Sequence, residues 1–363
     1  MRRLERILLA GALSLASLLG TQSCLSPTNL LCSTQGAGQT SGAPCDIFGA
    51  GDAPCVAAFS TTRVLYRSYA GPLYQVTRKS DGTATNVGVL SDGYANAAGQ
   101  DAFCANSTCT ITRIYDQSPH HNDLTVSPPG GAAKGAGPGG DDLPAVAGAL
   151  PVTAGGHTVY GVDISPGTGY RNDATVGVAV NGQPEGVYMV ASGTHINPKC
   201  CFDFGNAEKD ALNHGQGHMD AISLRCTSPC NPFVGLDMED GTYPLFAIPT
   251  GIPFVTAMGA NDGQQSYTIY WGNAQARCLT TAGSRALPKG YSPMHQEGAI
   301  ILGTGGDNSN WGEGSFFEGA MTAGVPSSAT MVAVQANIVL AGYAGNSGPN
   351  PADVRGCGGP TAF

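Results

Sequence analysis

The amino-acid sequence predicts an all-β protein, a β-sandwich with short helices and one C-terminal helix. The 363 residues include 53 Gly and 24 Pro, which interrupt the chain too often for long helices. Hydrophobic residues make up 42% of the chain, enough for a sizeable core, and large β-sandwiches reach this length as single domains. Short apolar stretches of strand length also recur from residue 144 onward. Many short strands joined by Gly- and Pro-rich turns fit these observations.

The first part of the domain is predicted to mix short helices and strands. Ala53–Ser68 and Gly93–Cys104 are predicted as short helices. Polar and apolar residues alternate in Pro72–Arg78 and in Thr110–Tyr115, as expected for half-buried strands. The second of these strands ends in a polar turn that leads into another strand. The residues 127–142 that follow are mostly Gly, Pro, Ala and Asp, and are predicted as a loop.

The second part is predicted to be a series of strands followed by one helix. Pro326 and Ser327 begin the helix Ser327–Ala341, in which apolar residues recur at helical spacing. The preceding strands are predicted at His157–Asp163, Ala174–Val180, Gly186–Ser192, Met219–Leu224, Phe233–Met238, Ile252–Met258, Tyr267–Trp271, Ala299–Gly303 and Ser315–Thr322.

The two ends of the chain have compositions that differ from the predicted domain. Residues 1–23 resemble an export signal, because a basic start precedes the apolar run Ile7–Gly20, which is short for a membrane span. Residues 24–44 are rich in Ser, Gly and Thr and are predicted as a linker. The folded domain is expected over residues 45–345, and residues 346–363 form a tail rich in Gly and Pro.

The export signal predicts a secreted protein. Cleavage near Ser23 would leave Cys24 as the first residue, so a lipid anchor at Cys24 is the alternative. The preceding residues Thr21-Gln22-Ser23 are a poor lipid-attachment signal, which favours a freely secreted protein.

Several function classes are excluded by charge and by missing motifs. The net charge is −9, and Lys and Arg do not cluster beyond the extreme N-terminus, so a nucleic-acid partner is not expected. The sequence contains no Gly-x-Ser-x-Gly elbow, phosphate loop or dinucleotide fingerprint, so no cofactor is expected. His214 and His218 lie four apart, but Gly215 and Gly217 argue against a helix that presents both to a metal. No metal site is therefore predicted.

Twelve cysteines in an exported chain favour disulfides over reactive thiols. Cys45 and Cys55 bracket a Gly-rich turn, and a second close pair, Cys104 and Cys109, brackets four residues. Both pairs suit local bridges. Cys357 is expected to hold the tail down, with Cys278 as its candidate partner.

The adjacent cysteines Cys200 and Cys201 allow two interpretations. They either bond to separate partners or bond to each other in a strained eight-membered ring. Such a ring would be a rigid apolar plate that can pack against the C–H face of a sugar.

Carboxylates cluster at two points of a chain that is only 12% charged. Asp237, Glu239 and Asp240 follow an apolar strand, and the first two would point to one face of it. Asp307 follows the apolar strand Ala299–Gly303 in a stretch of small residues. The structural alternatives are a solvated strand end and a plain Gly-Asp turn. Two carboxylates on separate strand ends also match glycosidase chemistry, in which one attacks the anomeric carbon and the other protonates the leaving oxygen.

The chain from Cys45 to about Tyr343 resembles the catalytic domain of glycoside hydrolase family 54, the α-L-arabinofuranosidases. The similarity is carried in order by Cys45-Asp46-Ile47, Cys55-Val56-Ala57-Ala58, Leu73-Tyr74-Gln75-Val76, Ile114-Tyr115-Asp116-Gln117-Ser118, residues 165–172, Cys200-Cys201-Phe202-Asp203, Gly205-Asn206-Ala207-Glu208, residues 298–310, Ser327 and Gln335-Ala336-Asn337-Ile338-Val339.

This resemblance implies a concanavalin-like β-sandwich (jelly roll) and a retaining mechanism that releases terminal L-arabinofuranose from arabinan and arabinoxylan. The partner is therefore expected to be a plant cell-wall polysaccharide or oligosaccharide, and the protein is expected to act as a monomer. The resemblance makes Glu239 the nucleophile and Asp307 the general acid/base. It also implies that Asp237 and Gly306 contact the sugar. The disulfides that it implies are Cys200–Cys201, on the floor of the pocket, Cys45–Cys55 and Cys104–Cys109.

The sequence departs from the family pattern at three points. Asp240 stands where family members usually have Asn, and its extra negative charge beside Glu239 is expected to weaken the sugar contact at Asp240 or to raise the pKa of the nucleophile. The segment 219–236 looks short and lacks a Trp near the sugar, and Cys226 and Cys230 are expected to form a local bridge that reshapes the pocket rim. The family's C-terminal arabinose-binding domain is expected to be absent, which predicts weaker binding of a polymeric substrate. The alternative functions are a non-catalytic carbohydrate-binding sandwich and a glycosidase with shifted furanoside or xyloside specificity.

Overall fold

The computed structural model describes residues 29–32 and 42–345. The predicted export signal, the tail 346–363, Cys24 and Cys357 lie outside the described residues. The helices in the described ranges are Pro44–Ala50 (α1), Ala97–Phe103 (α2) and Ser328–Leu340 (α3), with a short 3-10 turn at Pro138–Gly140. Within these ranges no helix has the length and apolar composition needed to cross a membrane.

Short strands make up most of the described chain. In chain order they are Leu30–Cys32 (β1), Cys55–Ser60 (β2), Tyr74–Arg78 (β3), Ala84–Val87 (β4), Cys109–Ile114 (β5), Leu124–Val126 (β6), Pro151–Ala154 (β7), His157–Tyr160 (β8), Val162–Ile164 (β9), Tyr170–Asn172 (β10), Glu185–Ala191 (β11), Asp203–Ala207 (β12), Asp220–Thr227 (β13), Asn231–Asp237 (β14), Thr242–Ala247 (β15), Val255–Asn261 (β16), Ser266–Asn273 (β17), Cys278–Ala286 (β18), Ala299–Leu302 (β19) and Gly314–Ala323 (β20).

Most of the strands form two antiparallel sheets that pack face to face, and β7 and β8 form a separate two-stranded sheet. The small sheet has the order β1-β18-β17-β16-β11-β20-β2, with β9 also paired to β20. The large sheet has ten strands in the order β15-β14-β13-β12-β19-β10-β6-β5-β3-β4. Strands β13 and β14 of the large sheet contact β16 and β17 of the small one. The predicted β-sandwich with a C-terminal helix is confirmed.

Side-chain alternation gives the large sheet two different faces. Phe204, Ile222 and Leu236 lie in one row across β12, β13 and β14 and belong to the main core between the sheets. Their neighbours along each strand point the other way, because successive side chains alternate. On that second face Ala207, Met219, Ala221, Ala299 and Ile301 form a small separate cluster. The candidate active site lies on this second face.

The predicted helix at Ala53–Ser68 is wrong. Cys55–Ser60 is instead a fully buried strand that pairs with β20. A continuous apolar run of this length does not distinguish a buried strand from a buried helix. The helix predicted in Gly93–Cys104 is confirmed as α2, and the terminal helix is confirmed as α3, where Ser327 Oγ accepts the Thr330 N–H at 3.1 Å.

The predicted strand Ala174–Val180 is also wrong, because a side chain takes the place of a partner strand. Asn122 accepts the N–H of Val176 at 2.8 Å and donates to its carbonyl at 2.9 Å. Gly177 follows with φ of +79°, a left-handed conformation that an extended strand does not contain.

Three residues of the predicted linker 24–44 form a strand. Leu30–Cys32 pairs with β18, and Cys32 is bonded to Cys278. The suggested bond between Cys278 and Cys357 is therefore wrong. The spacer interpretation does not hold for Leu30–Cys32, whose two leucines supply the apolar pattern that the surrounding Ser-, Thr- and Gly-rich residues lack.

A buried ion pair ties the terminal helix region to the small sheet. Arg63 donates from Nε and Nη2 to the two carboxylate oxygens of Glu318 at 2.5 and 2.7 Å. Arg63 Nη1 also donates to Asn337 Oδ1 on α3 at 2.9 Å, and Tyr343 Oη donates to Glu318 at 2.6 Å. Glu318 is fully buried. Both charges therefore depend on each other inside the fold.

We expect Glu318→Gln to destabilise the protein by about 3–5 kcal/mol, because it leaves the Arg63 charge buried without its counter-charge. The free energy of unfolding in denaturant is the measurement. Asp81→Asn is the control, since Asp81 pairs with Arg78 at the surface, and it should leave the stability almost unchanged. Equal effects of the two substitutions would contradict the structural role of Arg63 and Glu318.

Candidate active site

One cavity of about 320 Å³ brings together all the residues predicted to act on a sugar. Its lining consists of Cys200, Cys201, Met219, Arg225, Asp237, Glu239, Asp240, Gly241, Thr242, Gly305, Gly306, Asp307 and Ser309. A larger cavity of about 510 Å³ elsewhere is lined only by Gly, Val, Ala, Gln and Pro residues. It offers no group for acid/base chemistry, so the smaller cavity is the candidate active site.

Glu239 is held in a tight turn between β14 and β15. Glu239 and Asp240 both have left-handed backbone conformations, with φ of +65° and +55°. The turn is closed by a hydrogen bond from Met238 N–H to the Gly241 carbonyl at 3.1 Å, and Tyr291 Oη donates to the Glu239 carbonyl at 2.8 Å. Non-Gly residues adopt this conformation at a cost, and such strain is typical of functional sites.

Asp307 lies in the loop after β19, which folds back over the same face of the sheet. The loop closes on itself through Gly305 N–H and the Ser309 carbonyl at 3.0 Å. Ser309 in turn donates from its N–H and its hydroxyl to Asp307 Oδ1 at 3.0 and 2.6 Å. These two hydrogen bonds orient the Asp307 carboxyl group at the cavity wall.

The adjacent cysteines Cys200 and Cys201 are bonded to each other. Cys201 N–H donates to the Ser309 carbonyl at 3.0 Å, and Trp311 N–H donates to the Cys200 carbonyl at 2.9 Å. A Cβ atom at Gly305 would lie 3.1 Å from Cys201 Sγ. The disulfide and the Asp307 loop therefore form one wall of the cavity.

Asp237 is anchored by its neighbours on β13 and β15. Thr242 Oγ1 donates to Asp237 Oδ2 at 3.1 Å, and Arg225 Nη2 donates to Thr242 Oγ1 at 2.7 Å and lies 3.9 Å from Asp237 Oδ2. Burial raises the pKa of Asp237, and the Arg225 guanidinium opposes this rise. Asp240 is exposed and accepts a hydrogen bond from Asn213 Nδ2 at 3.1 Å.

Glu208 is a further site residue to which the sequence analysis assigned no role. It follows β12 and is fully buried beneath the cavity. A Cβ atom at Gly306 would clash with Glu208 Oε2 and would lie 3.3 Å from Glu239 Oε2. Arg171 donates to the Gly306 carbonyl at 2.6 Å and also donates to the Glu208 carbonyl. Only a glycine at position 306 therefore lets the Asp307 loop approach the two glutamates.

Glu208 and Glu239 form a pair of neighbouring carboxyl groups, since both lie close to the position of a Cβ atom at Gly306. Burial, together with the nearby carboxylates of Glu208, Asp237 and Asp307, raises the pKa of Glu239 to about 9. Burial also raises the pKa of Glu208. Two carboxylates this close do not both ionise readily at neutral pH. The pair therefore retains a proton at neutral pH, and Glu239 must lose a proton before it can act as a nucleophile.

The remaining predicted bridges are present in the structure, namely Cys45–Cys55, Cys104–Cys109 and Cys226–Cys230. Cys226–Cys230 closes the β13–β14 hairpin at the end away from Asp237, since Thr227 pairs with Asn231 and Ala221 pairs with Asp237. Neither of its cysteines lines the cavity, in contrast to the expectation that this bridge reshapes the rim.

The family comparison agrees with the site. A family model described as "Alpha-L-arabinofuranosidase B, catalytic" matches residues 44–344. The chain belongs to this family. The α-L-arabinofuranosidase of Hypocrea jecorina is 50% identical over 317 residues, which cover 83% of this chain and 63% of that protein. A Trichoderma koningii protein named Arabinofuranosidase/B-xylosidase gives the same values. The chain thus spans 63% of the length of these curated relatives.

Solved structures of arabinofuranosidases share the fold. A GH54 α-L-arabinofuranosidase soaked with a cyclic sulfate inhibitor matches with a TM-score of 0.81 and 47% identity, over 84% of this chain and 66% of that chain. An arabinofuranosidase in complex with arabinofuranosyl-α-1,2-xylobiose matches with a TM-score of 0.81, 46% identity and the same coverage. The resemblance to family 54 is confirmed. For this α-L-arabinofuranosidase family domain, the individual roles of Glu239 and Asp307 remain predictions.

We expect Gly306→Ala to lower kcat/KM by about 100-fold or more, because the added methyl group displaces Glu208 and Glu239 from their positions. Initial rates on an aryl α-L-arabinofuranoside measure the effect. Gly88→Ala is the matched control, because a Cβ atom at Gly88 meets nothing within 4 Å. Wild-type activity in Gly306→Ala would show that close approach at this glycine is unimportant.

We expect Glu208→Gln to move the acidic limb of the pH–rate profile to lower pH. As the predicted nucleophile, Glu239 must be ionised for activity, and the neighbouring Glu208 carboxylate raises the pKa of Glu239, so removal of that carboxylate lets Glu239 ionise at lower pH. The Gln side chain can still donate a hydrogen bond to Glu239. The dependence of kcat/KM on pH is the measurement, and an unshifted acidic limb with retained activity would refute coupling between Glu208 and Glu239.

Proposed function

We propose that the protein is a retaining α-L-arabinofuranosidase that releases terminal L-arabinofuranose from arabinan or arabinoxylan side chains. The main support is the single cavity that is lined by both Glu239 and Asp307, each held by its own turn. A retaining glycosidase needs two carboxyl groups roughly 5–5.5 Å apart, one as nucleophile and one as acid/base.

In the first proposed step, the Glu239 carboxylate attacks the anomeric carbon of the arabinofuranose. Asp307 donates its proton to the glycosidic oxygen as the bond to the leaving group breaks. In the second step, Asp307 takes a proton from water, and the resulting hydroxide displaces Glu239 from the sugar. The anomeric configuration is therefore retained, and both carboxyl groups return to their starting states.

The remaining cavity residues suit recognition of a small furanose. Asp237, fixed by Thr242, offers carboxylate oxygens to sugar hydroxyl groups. The Cys200–Cys201 disulfide offers an apolar surface to the C–H face of the ring. Trp311 is 47% exposed and joined through its backbone to Cys200, so it offers an aromatic surface for the rest of an oligosaccharide. A higher KM of Trp311→Ala for an arabinoxylan oligosaccharide, with an unchanged KM for an aryl arabinofuranoside, would support this placement.

We further propose that the protein acts as a secreted monomer. The five disulfides among the described residues fit an oxidising compartment. Mass spectrometry of the protein from its native host would test secretion and the alternative lipid anchor at Cys24. Sedimentation would test whether the protein is a monomer.

A β-xyloside activity is a second candidate, because the Trichoderma koningii relative carries both activities in its name. Rates on a panel of aryl α-L-arabinofuranosides and β-xylosides would rank the two. Sugar binding without any turnover on the whole panel would instead indicate the carbohydrate-binding module considered in the sequence analysis.

We expect Glu239→Ala and Asp307→Ala to lose about 1,000-fold or more of the activity on an aryl α-L-arabinofuranoside. Azide distinguishes the two roles. It should rescue Asp307→Ala by attacking the glycosyl–enzyme, giving the α-azide, and rescue Glu239→Ala by direct attack, giving the β-azide. Asp52→Asn, an exposed carboxylate outside the cavity, should keep wild-type activity. Exchanged azide products would reverse the assignment, and full activity in either alanine variant would refute it.

A further inference from the structure

Two histidines and a glutamate converge outside the cavity in a way that the proposed hydrolysis does not use. His214 Nδ1 and His218 Nδ1 lie 2.5 and 2.9 Å from the same atom, Glu297 Oε1. The ligand atoms of His214, His218 and Glu297 all lie within 4.8 Å of one another. The sequence analysis rejected a metal site because a helix could not present both histidines. A loop presents them instead, with Gly215 and Gly217 in left-handed conformations at φ of +93° and +85°.

The spacing and chemistry of these donors fit a divalent transition metal. Zinc binds imidazole nitrogen at about 2.0–2.1 Å and carboxylate oxygen at about 2.0–2.2 Å, so two ligands of a tetrahedral ion lie about 3.3 Å apart. The two observed nitrogen–oxygen separations, 2.5 and 2.9 Å, are slightly shorter than this value, so a small movement of the two imidazole rings away from Glu297 would bring all three atoms onto one ion. Imidazole and carboxylate are donors that zinc and its neighbours in the first transition row accept.

The groups around the three donors already hold them in place. Asp210 Oδ2 lies 3.2 Å from His214 Nε2, the ring nitrogen opposite the one that faces Glu297. A carboxylate in this position fixes the histidine tautomer and leaves Nδ1 free for a metal. Lys209 N–H donates to Glu297 Oε2 at 3.2 Å, and the ring of His295 lies 5.4 Å from the ring of His218. The cluster therefore has outer contacts of the kind found around metal ligands.

The cluster is also open to solvent. The side chains of His214, His218 and Glu297 are 35%, 28% and 22% exposed. Three protein ligands at an accessible position leave room for water as a fourth ligand. The other group of potential donors near the cavity, Cys200, Cys201 and Asp237, is a weaker candidate because its two sulfurs are bonded to each other.

We propose that His214, His218 and Glu297 form a binding site for one divalent transition-metal ion of the zinc class, with Asp210 as an outer positioning residue. The ion would join the segment that carries His214 and His218 to the chain before β19. That segment contacts the catalytic turn, because Gly217 N–H donates to the Met238 carbonyl at 2.7 Å and Asn213 donates to Asp240. The ion would therefore brace the Glu239 turn from outside, without touching the reacting atoms.

The test is titration of the chelator-treated, tag-free full-length protein with zinc chloride by calorimetry, and with cobalt chloride by visible absorption. We expect one ion per chain, a rise in Tm with zinc concentration, and cobalt bands typical of nitrogen and oxygen ligands. His218→Ala and Glu297→Gln should abolish saturable binding. Asp210→Asn should weaken it by about 10–100-fold, as the loss of an outer contact to a metal ligand does.

His121→Ala is the matched control, since it removes an exposed histidine that does not belong to the cluster, and it should bind zinc as the wild type does. The Tm of each variant, measured in the presence of chelator, shows whether that variant folds. If His218→Ala does not fold, Asp210→Asn still tests the proposal. Wild-type binding weaker than about 1 mM would overturn the proposal, as would unchanged binding in Glu297→Gln and Asp210→Asn.

Discussion

The close contact between the carboxyl groups of Glu208 and Glu239 is the constraint on which the site depends. Neither group can remain charged beside the other without a compensating proton, because both are shielded from water. The protein provides no cation that touches both carboxylates among its described residues. Arg171 instead binds the Glu208 and Gly306 carbonyls, so it fixes positions without neutralising Glu239. A proton retained by the pair therefore limits the repulsion that a nearby arginine would offset elsewhere.

The order of strands in the large sheet explains how distant residues reach this pair. Strands β14, β13, β12 and β19 are neighbours, so the turn carrying Glu239, the end of β12 with Glu208 and the loop with Asp307 lie over one face. Their opposite faces belong to the main core and cannot rotate without breaking it. The strained Glu239 turn and the tight contact at Gly306 are held by this rigid support.

Much of the fold and the cavity could be predicted from local sequence signals. The acids of the cavity stand out because each follows an apolar strand in a chain poor in charge, and α3 has a Ser cap and helical spacing. Local sequence signals failed where the interacting residues are far apart in the chain. Cys32 and Cys278 are separated by 246 residues, and the Asn122 side chain that replaces a strand partner of Val176 lies far from it in sequence. Glu208 was missed because its position in the site comes from packing, and no local periodicity reports packing. His214 and His218 were considered as metal ligands but set aside, because only a helix was considered as the element that could present them.

The most direct test of the account is to find which carboxylate becomes bonded to the sugar. The protein would be inactivated with a mechanism-based arabinofuranosyl inhibitor that leaves a stable ester, digested, and mapped by mass spectrometry. The account predicts one label per chain, on Glu239. A label on Glu208 or Asp237 would contradict the assignment of Glu239 as the nucleophile.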